Sequence, residues 1–549
     1  MRIAGRNRQM PKTKVSGILL IHSHALVPTA SMVMDLVSAF QNHSRFKVWA
    51  VNAELGFPEA LKRYEFQIIV LHYSIFSWLP FFLSEEFLDY LGESGNSYKI
   101  AFFQDEYRYW PERSEVLNRF KVDCVYTCVE PEYYEATYRK YTRVPRLVTY
   151  LPGYVSEEMV RWAGEVIKPD RQRRIDVGYR GRQSYHYMGK AAREKHEIGT
   201  RFLELASGSG LSMDITSEES KRIYGRQWLG FLGDCRAVLG VEAGVSIFDI
   251  DNVVIPQYQK MVAEKPEITF EEVYGRLLFQ YDGKGIYYRT MSPRVFEAAA
   301  VRSCQILFEG RYSGILEPMV HYIPLKKDFS NFEEVLRMYR DESIRRELTE
   351  NAHRDLISSG RYSYREFMRE FDEGLEAAGV EIGIPGEVED RVTEWLNEDG
   401  RSLLVKKIGV QQREYQELVN RDVALQVQYM EQHDAYTKLQ SDMQKLAEAH
   451  QSLQVQYMEQ QKRLQQLIGQ RAALQGPEIG NSDWNSVIRP RELNFHGAGA
   501  YTGGWGRFVK VTLTNWGRSS KVFIANALRA CPLVYKVVRS IWSGFQKSE

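Results

Sequence analysis

Val15-Ser16-Gly17-Ile18-Leu19-Leu20-Ile21 is an almost unbroken apolar run of strand length close to the start of the chain. A strand that is apolar on both faces belongs inside a sheet covered on both sides, which is the situation of a parallel sheet. Runs at 46–51, 66–71, 98–103 and 122–129 share this character. Between the first two, Thr29 can cap a helix in which Val33, Leu36, Val37 and Phe40 fall at i, i+3, i+4 and i+7, a single helical face. Strand, helix, strand is a βαβ unit. Its repetition predicts an open α/β sheet whose ligands collect at the carboxyl ends of the strands.

A second α/β stretch follows the basic segment Lys168-Pro169-Asp170-Arg171-Gln172-Arg173-Arg174, which has the composition of a linker. Residues 175–179 are a strand candidate, and a helix with Ile198, Phe202 and Leu205 on one face comes next. Further strands are expected at 236–241 and 305–308, and Ser330 and Glu333 are spaced as a capping box ahead of Val335, Leu336 and Tyr339. The expected fold class is therefore α/β, with Rossmann-like domains at 1–165 and 166–385 and a cleft between them.

The chain has 549 residues, 26% charged and 44% hydrophobic, which excludes a wholly disordered, collagen-like or integral-membrane protein. Its 72 basic and 71 acidic residues leave a net charge of +1, so nothing global points to nucleic acid. The balance is uneven: residues 501–549 hold eight Lys or Arg against one acidic residue, a local +7. Five scattered cysteines suit a reducing compartment, and Cys124 and Cys128 lack the second pair a zinc site needs. The apolar run at 17–21 is far shorter than the ~20 residues a bilayer demands, and the expected location is the cytoplasm.

After about residue 385 the pattern changes. Leu404, Ile408, Tyr415, Leu418, Leu425, Tyr429, Tyr436, Leu439, Met443, Leu446, Leu453, Tyr457, Leu464, Leu467 and Leu474 keep one alternating 3,4 register, which predicts a coiled coil over 400–475 and a homo-oligomer. The octet Leu-Gln-Val-Gln-Tyr-Met-Glu-Gln at 425–432 returns at 453–460, 28 residues on, so each side chain returns to the same face. A single solvated helix is the alternative. Residues 476–549 open on Gly476-Pro477, a helix stop. In a helix over 533–546, Val534, Val537, Val538, Ile541, Trp542 and Phe545 share an arc opposite Lys536 and Arg539, a basic amphipathic pattern that fits an anionic membrane surface or a docking partner.

No P-loop, Gly-x-Gly-x-x-Gly, His-Glu-x-x-His or Gly-x-Ser-x-Gly is present. The segment Gly178-Tyr179-Arg180-Gly181-Arg182 follows a strand candidate, and Lys195 stands near the start of the next helix. Glycines allow close backbone approach, a helix N-terminus favours anions, and two guanidinium groups with an ammonium suit a diphosphate. In the first domain the strand ends carry His22 and His24, His72, and Asp105-Glu106. A carboxylate or imidazole there can orient or deprotonate an acceptor hydroxyl, and Asp105 closes a buried strand where the crevice rule puts ligands.

Ser292-Pro293-Arg294-Val295-Phe296-Glu297-Ala298-Ala299-Ala300, followed by Gln305-Ile306-Leu307-Phe308-Glu309, resembles the GT-B glycosyltransferases, in particular the family 4-like and CgeB-like group. The resemblance covers about residues 15–380. It implies that Glu297 grips the ribose hydroxyls of a nucleotide sugar and that Arg182 and Lys195, with Arg180 and Arg294, hold the donor diphosphate without a metal or other cofactor. The family's partner glutamate, eight residues earlier, is here Arg289. Glu242 in Gly240-Val241-Glu242-Ala243-Gly244 looks like the displaced catalytic element of that family, beside Asp105 as the other catalytic candidate and His22 and His72 on the acceptor side. The implied activity is sugar transfer to a glycan or lipid-linked glycan in the synthesis of a cell-surface polysaccharide of the O-antigen or capsule type, with the rod oligomerising the enzyme and the tail holding it peripherally at the inner membrane face. Two alternatives remain: an inactive GT-B-like scaffold, which the missing glutamate favours, and a nucleotide-sugar epimerase or dehydrogenase, which the missing glycine fingerprint disfavours.

Overall fold

The computed structural model describes residues 12–24, 32–76, 79–281, 285–383 and 386–403, together with 458 and 462. The chain divides into a unit of Met1–Val455 and a unit of Gln456–Glu549; in the second only Met458 and Lys462 are described, both helical. Thr29, most of the expected rod and all of the basic tail lie outside the described residues.

The first unit holds two parallel sheets, each the centre of a Rossmann-like lobe. In lobe one, β1 (Thr13–His22), β2 (Val48–Asn52), β3 (Tyr64–Leu71), β4 (Tyr98–Phe102), β5 (Cys124–Thr127) and β6 (Arg146–Thr149) are ordered β2-β1-β3-β4-β5-β6. The apolar runs form these strands because both of their faces are covered: Ile18 to Ile21 and Ile68 to Leu71 are fully buried. Gly17, at φ 131°, sits where β1 passes so close to β2 that a Cβ would collide with the Lys47 carbonyl. The expected helix runs Met32–His43 and buries Val33, Leu36, Val37 and Phe40.

In lobe two, β7 (Ile175–Arg180), β8 (Met213–Thr216), β9 (Cys235–Gly240), β10 (Ala243–Val245), β11 (Tyr288–Thr290), β12 (Cys304–Phe308) and β13 (Ile323–Leu325) follow in chain order. The five-stranded sheet runs β13-β12-β9-β7-β8, while β10 and β11 pair antiparallel apart from it. Each main sheet reverses its order beside its first strand, between β1 and β3 and between β7 and β9, so each lobe has a crevice there. The 168–174 segment is no loose linker: Arg173 is buried and donates to the carbonyls of Lys168, Cys235 and Val301. The capping box expected at Ser330 is not formed. The helix Phe332–Arg340 starts after Asn331, and the Ser330 N–H turns back to Asp328. A capping box does open the short helix Phe270–Val273, from Thr269 and Glu272.

Two segments tie the lobes together. The excursion from β10 to β11 packs its apolar side chains into the core of lobe one, where Phe248 meets Trp110 and Tyr288 meets Tyr107 with ring centroids 6.1 and 5.9 Å apart. The Asp249 N–H donates to the Tyr107 carbonyl at 2.8 Å. The helix Tyr364–Ala377 crosses back to bury Phe367, Met368 and Phe371 in the same core. Each fully buried side chain of this size contributes about 1.5–3 kcal/mol. An exposed ion pair such as Arg311 with Glu132 (2.7 Å) is screened by solvent and adds little, so apolar packing holds the seam. Helical residues 387–403 then cover the β1–β2 side of lobe one, with Trp49 Nε1 donating to Thr393 Oγ1 at 3.0 Å and Trp395 beside Tyr64.

Candidate active site

The cations of the sequence motif divide into two kinds. Arg180 ends β7 and is buried: it donates to the carbonyls of Tyr179, Asp214 and Lys221 and to the Asp214 carboxylate at 2.8 Å, with its guanidinium 4.3 Å from the Phe231 ring centroid. These bonds fasten β7 to β8 and leave Arg180 little donor capacity for a ligand. Arg182, two residues on, is exposed and has no hydrogen bond or ion pair among the described residues. Arg294 is also exposed; its Nη1 donates to the Arg180 carbonyl at 2.6 Å and its guanidinium lies 5.2 Å from the Trp228 ring centroid.

Lys195 joins Arg182 and Arg294. It lies more than a turn inside the helix Lys190–Leu205, not at its N-terminus, with Nζ 3.3 Å from the Gly244 carbonyl. Burial pushes its ammonium down to about 8; Asp105 opposes the shift, while Arg294, Arg289 and Arg182 reinforce it. The N-terminus of that helix is itself taken: the Ala191 N–H donates to Ser246 Oγ of the excursion at 2.6 Å. The sequence expectation of an open helix terminus for anions is corrected accordingly, and the side-chain cations remain.

Glu297, on the helix Arg294–Ala300, accepts the Trp228 indole N–H at 2.6 Å. Burial raises its carboxyl, and the Trp228 bond and Arg294 lower it. It faces the other lobe. Asp35 of lobe one is pushed up to about 7 by burial and by the carboxylates of Glu158 and Glu297. One turn before each of these two residues, Met32 and Pro293 meet around Gly153, where a Cβ would lie 3.0 Å from Pro293 and 4.0 Å from Met32. Glu297 thus stands at the interlobe crevice.

Asp105 lies three residues beyond β4 at φ 55°, with its carboxylate 57% exposed and 3.9 Å from Arg108. Its carbonyl accepts from Arg113 at 3.0 Å. Asp105 and Lys195 come from different lobes and stand within electrostatic reach of each other.

Glu242 lies elsewhere in chemical terms. It is buried, accepts the Tyr287 hydroxyl at 2.7 Å and the Tyr312 N–H at 2.9 Å, and has Arg289 Nε at 3.4 Å. Arg289 in turn forks onto Glu194, which Lys327 reaches at 2.9 Å. Glu242 is one member of a neutralised buried network. His22 and His72 end β1 and β3 at the switch point of lobe one, both buried. Burial and the neighbouring His24 push His22 down to about 3, and burial holds His72 well below the usual imidazole range. His72 Nδ1 accepts the Ser74 N–H at 3.0 Å. Both are neutral at neutral pH and are weak bases there.

The structure adds Trp228, Asp35 and the Arg289–Glu194 fork to the residues named from sequence. Asp35 lies on the face of its helix turned away from Val33, Leu36 and Phe40, so periodicity assigns it to solvent; in the structure it is half-buried and within reach of the charges of Glu158 and Glu297. Among the described residues no group of three or more His, Cys, Asp or Glu is placed to hold a metal ion, and no helix is long and apolar enough to cross a membrane.

No protein-family model and no curated protein matches the chain. Solved structures similar to it include Anabaena HepE in complex with UDP and glucose, at 9% identity and TM-score 0.35, over 66% of this chain and 100% of that one. Sucrose-phosphate synthase from Thermosynechococcus elongatus aligns at 11% identity and TM-score 0.37, over 66% of this chain and 100% of that one. An alpha-glucosyltransferase in complex with UDP-glucose and DNA containing an abasic site aligns at 10% and 0.38, over 67% and 99%. Likeness at this level decides nothing about the chemistry of this chain. What the chain itself presents is a cluster of cations without an ion pair among the described residues and a half-buried carboxylate at the crevice of one Rossmann-like lobe, facing carboxylates of the other.

Proposed function

We propose that this protein is a glycosyltransferase that takes its sugar from a nucleotide-sugar donor. The observation that carries the reading is the grouping of Lys195, Arg182 and Arg294 beside Glu297, at the carboxyl end of β7 and open to the interlobe crevice. A diphosphate fits three cations that make no ion pair among the described residues. A carboxylate accepts from two vicinal hydroxyls at once, which suits Glu297 to a ribose. Transfer in such a site is placement plus charge stabilisation: Lys195, Arg182 and Arg294 meet the negative charge that grows on the leaving diphosphate, and this reading gives them the role a divalent ion would otherwise take. Asp105, across from Lys195, is the group placed to orient or deprotonate an acceptor hydroxyl.

Calorimetry with UDP-, GDP- and CMP-sugars tests the reading. Binding of one of them to the wild type, abolished by Arg182→Glu with Lys195→Glu at unchanged circular dichroism, is the expected result; unchanged affinity in the double variant removes the site. One observation favours a second reading, an inactive scaffold: Glu242 is locked in a buried network, and a scaffold binds none of the three nucleotide sugars. The wider proposals rest on the sequence alone. They are a glycan or lipid-linked acceptor in cell-surface polysaccharide synthesis, oligomerisation through the rod, and peripheral attachment to the cytoplasmic membrane face through the tail. A rod and a tail of this kind would raise the effective concentration of enzyme beside a lipid-borne acceptor.

A further inference from the structure

The excursion between β10 and β11 leaves the antiparallel ribbon after Val245 and rejoins it at Tyr288, two residues paired with each other. Its root is a single point on lobe two, and from there it is packed on both lobes. Toward lobe one, Ile247, Val254, Met261, Val273 and Leu278 are buried in one continuous core with that lobe's own strands and helices. Phe248 lies between Trp110 and Tyr288, whose ring centroid is 5.5 Å away, and Asn252 Nδ2 donates to Glu112 at 3.2 Å. The Asp249 carboxylate accepts the N–H groups of Val253, Val254 and Ile255 at 2.8–3.0 Å and so starts the helix Val254–Glu264. Toward lobe two, the Tyr187 ring lies 5.4 Å from Tyr258 and the His186 ring 5.9 Å from Phe270. The Arg193 guanidinium stands 4.7 Å from the Phe270 ring centroid, and the Ser246 N–H donates to the Met188 carbonyl at 3.1 Å.

The helix Tyr364–Ala377 takes hold of lobe one elsewhere. Its Phe367 and Phe371 lie 6.0 and 5.5 Å from Tyr126 in β5. Thr127, the next residue of β5, points to the opposite face of the sheet and donates to Glu106. The Glu106 N–H in turn reaches the Tyr288 hydroxyl at 3.4 Å. Helix and excursion thus grip the lobe-one sheet from its two faces. Lobes joined by one strap turn about it, and relative motion is the default where the interface between two bodies is small and polar; a large apolar interface suppresses it. Here a rotation that opens the crevice has to draw apolar side chains out of a packed core on one face or the other, which the backbone of a few hinge residues does not absorb.

We propose that the excursion is a clasp that makes the two lobes one rigid body, so that the crevice holds its working width in the free protein and a ligand enters without lobe closure. The rigidity is independent of the transferase reading; that the entering ligand is a nucleotide sugar rests on it. A site set in this way keeps Lys195 and Asp105, which come from different lobes, opposed before anything binds, and the cost of ordering them is met in folding.

Double electron–electron resonance on the full chain tests the clasp. Glu86→Cys, exposed on the helix Glu85–Glu93 of lobe one, and Glu347→Cys, exposed on the helix Glu342–His353 of lobe two, carry the spin labels. Cys124, Cys128, Cys235 and Cys304 are buried, and Cys531→Ser removes the remaining thiol. Labelled chain is diluted into unlabelled chain so that only distances within one chain are read. One narrow distribution is expected, the same without UDP-glucose and with UDP-glucose at a concentration that calorimetry shows to saturate. Phe248→Ala with Tyr288→Ala removes the rings against Trp110 and Tyr107 and is expected to broaden the distribution. Should that variant fail to fold, hydrogen exchange on the wild type gives an independent reading. The amides of Ser246 and Asp249, which bond to Met188 in one lobe and to Tyr107 in the other, are expected to exchange as slowly as those of β3 and β9. A wild-type distribution that is broad or moves with UDP-glucose, seam amides that exchange ahead of both sheets, or an unbroadened distribution in the folded double variant each overturns the clasp. If UDP-glucose does not bind and the distribution is narrow, the nucleotide-sugar reading falls and the clasp stands. If it binds and the distribution moves, the clasp falls and that reading stands.

Discussion

Binding of UDP-glucose is expected to weaken about tenfold between about pH 7 and about pH 9, with Lys195 responsible for the loss. Its ammonium is pushed from 10.5 down to about 8, which disfavours the charged form by about 3 kcal/mol. Burial is the main cause, and Arg294, Arg289 and Arg182 add to it. At about pH 7 roughly nine-tenths of the lysine is charged, and at about pH 9 roughly one-tenth. A bound diphosphate restores the charged form, so above about pH 8 binding must take up a proton and affinity falls about tenfold per pH unit. The diphosphate diester of UDP-glucose keeps its charge across this range, so the slope belongs to the protein. Calorimetry in two buffers of different ionisation enthalpy reads both the affinity and the protons taken up. Lys195→Gln is expected to bind weakly and with no slope. A flat profile in the wild type, or the same slope in Lys195→Gln, refutes the assignment of this lysine to the diphosphate.

Lys195→Met is expected to raise the melting temperature by ~5 °C at neutral pH while nucleotide affinity is lost, because the native charge costs up to about 3 kcal/mol. The sign follows from the depressed value: between about pH 8 and 10.5 the folded chain holds fewer protons than the unfolded one, so wild-type stability rises with pH across that window, and thermal melts against pH show whether Lys195→Met removes the rise. Trp228→Phe takes the N–H donor from Glu297 and is expected to weaken nucleoside binding about fivefold, ~1 kcal/mol, in the same calorimetric assay. Glu242→Gln leaves Arg289 short of a partner and is expected to cost about 3 kcal/mol of stability in urea melts while turnover per folded molecule holds; lost turnover at unchanged stability would return Glu242 to the reacting groups. Deleting residues 480–549 is expected to abolish co-flotation with anionic liposomes, and undiminished flotation ends the membrane proposal.

The strands that were legible in the sequence are those whose burial on both faces leaves a continuous apolar run, β1, β3 and β12 above all. β6 and β8 escaped notice because every residue in them is at least partly exposed, and polar residues such as Arg146 and Asp214 break the run. The helix of Val33, Leu36, Val37 and Phe40 was legible from its period alone, whereas the capping box at Ser330 was not formed because Asn331 stands at the helix start. In the candidate site, Arg182, Lys195, Arg294 and Glu297 could be picked out as chemistry in search of a ligand. Nothing in their order separated Arg180, which is used up on β8, from Arg182, which is free.

By itself, then, the sequence determined the alternation of buried strands and helices, hence two parallel sheets with their carboxyl ends as the place for ligands, and it determined which cations stand near one of those ends. Only the tertiary structure decided which charges are neutralised and which are left over. Arg289 meets Glu194 from 95 residues away, and the charge of Glu297, in the other lobe, acts on Asp35. The physical reason is range. Hydrophobic period is a property of neighbours along the chain, whereas desolvation and ion pairing depend on whatever the fold brings within a few ångströms, so the state of a titrating group is set by residues its own segment does not contain.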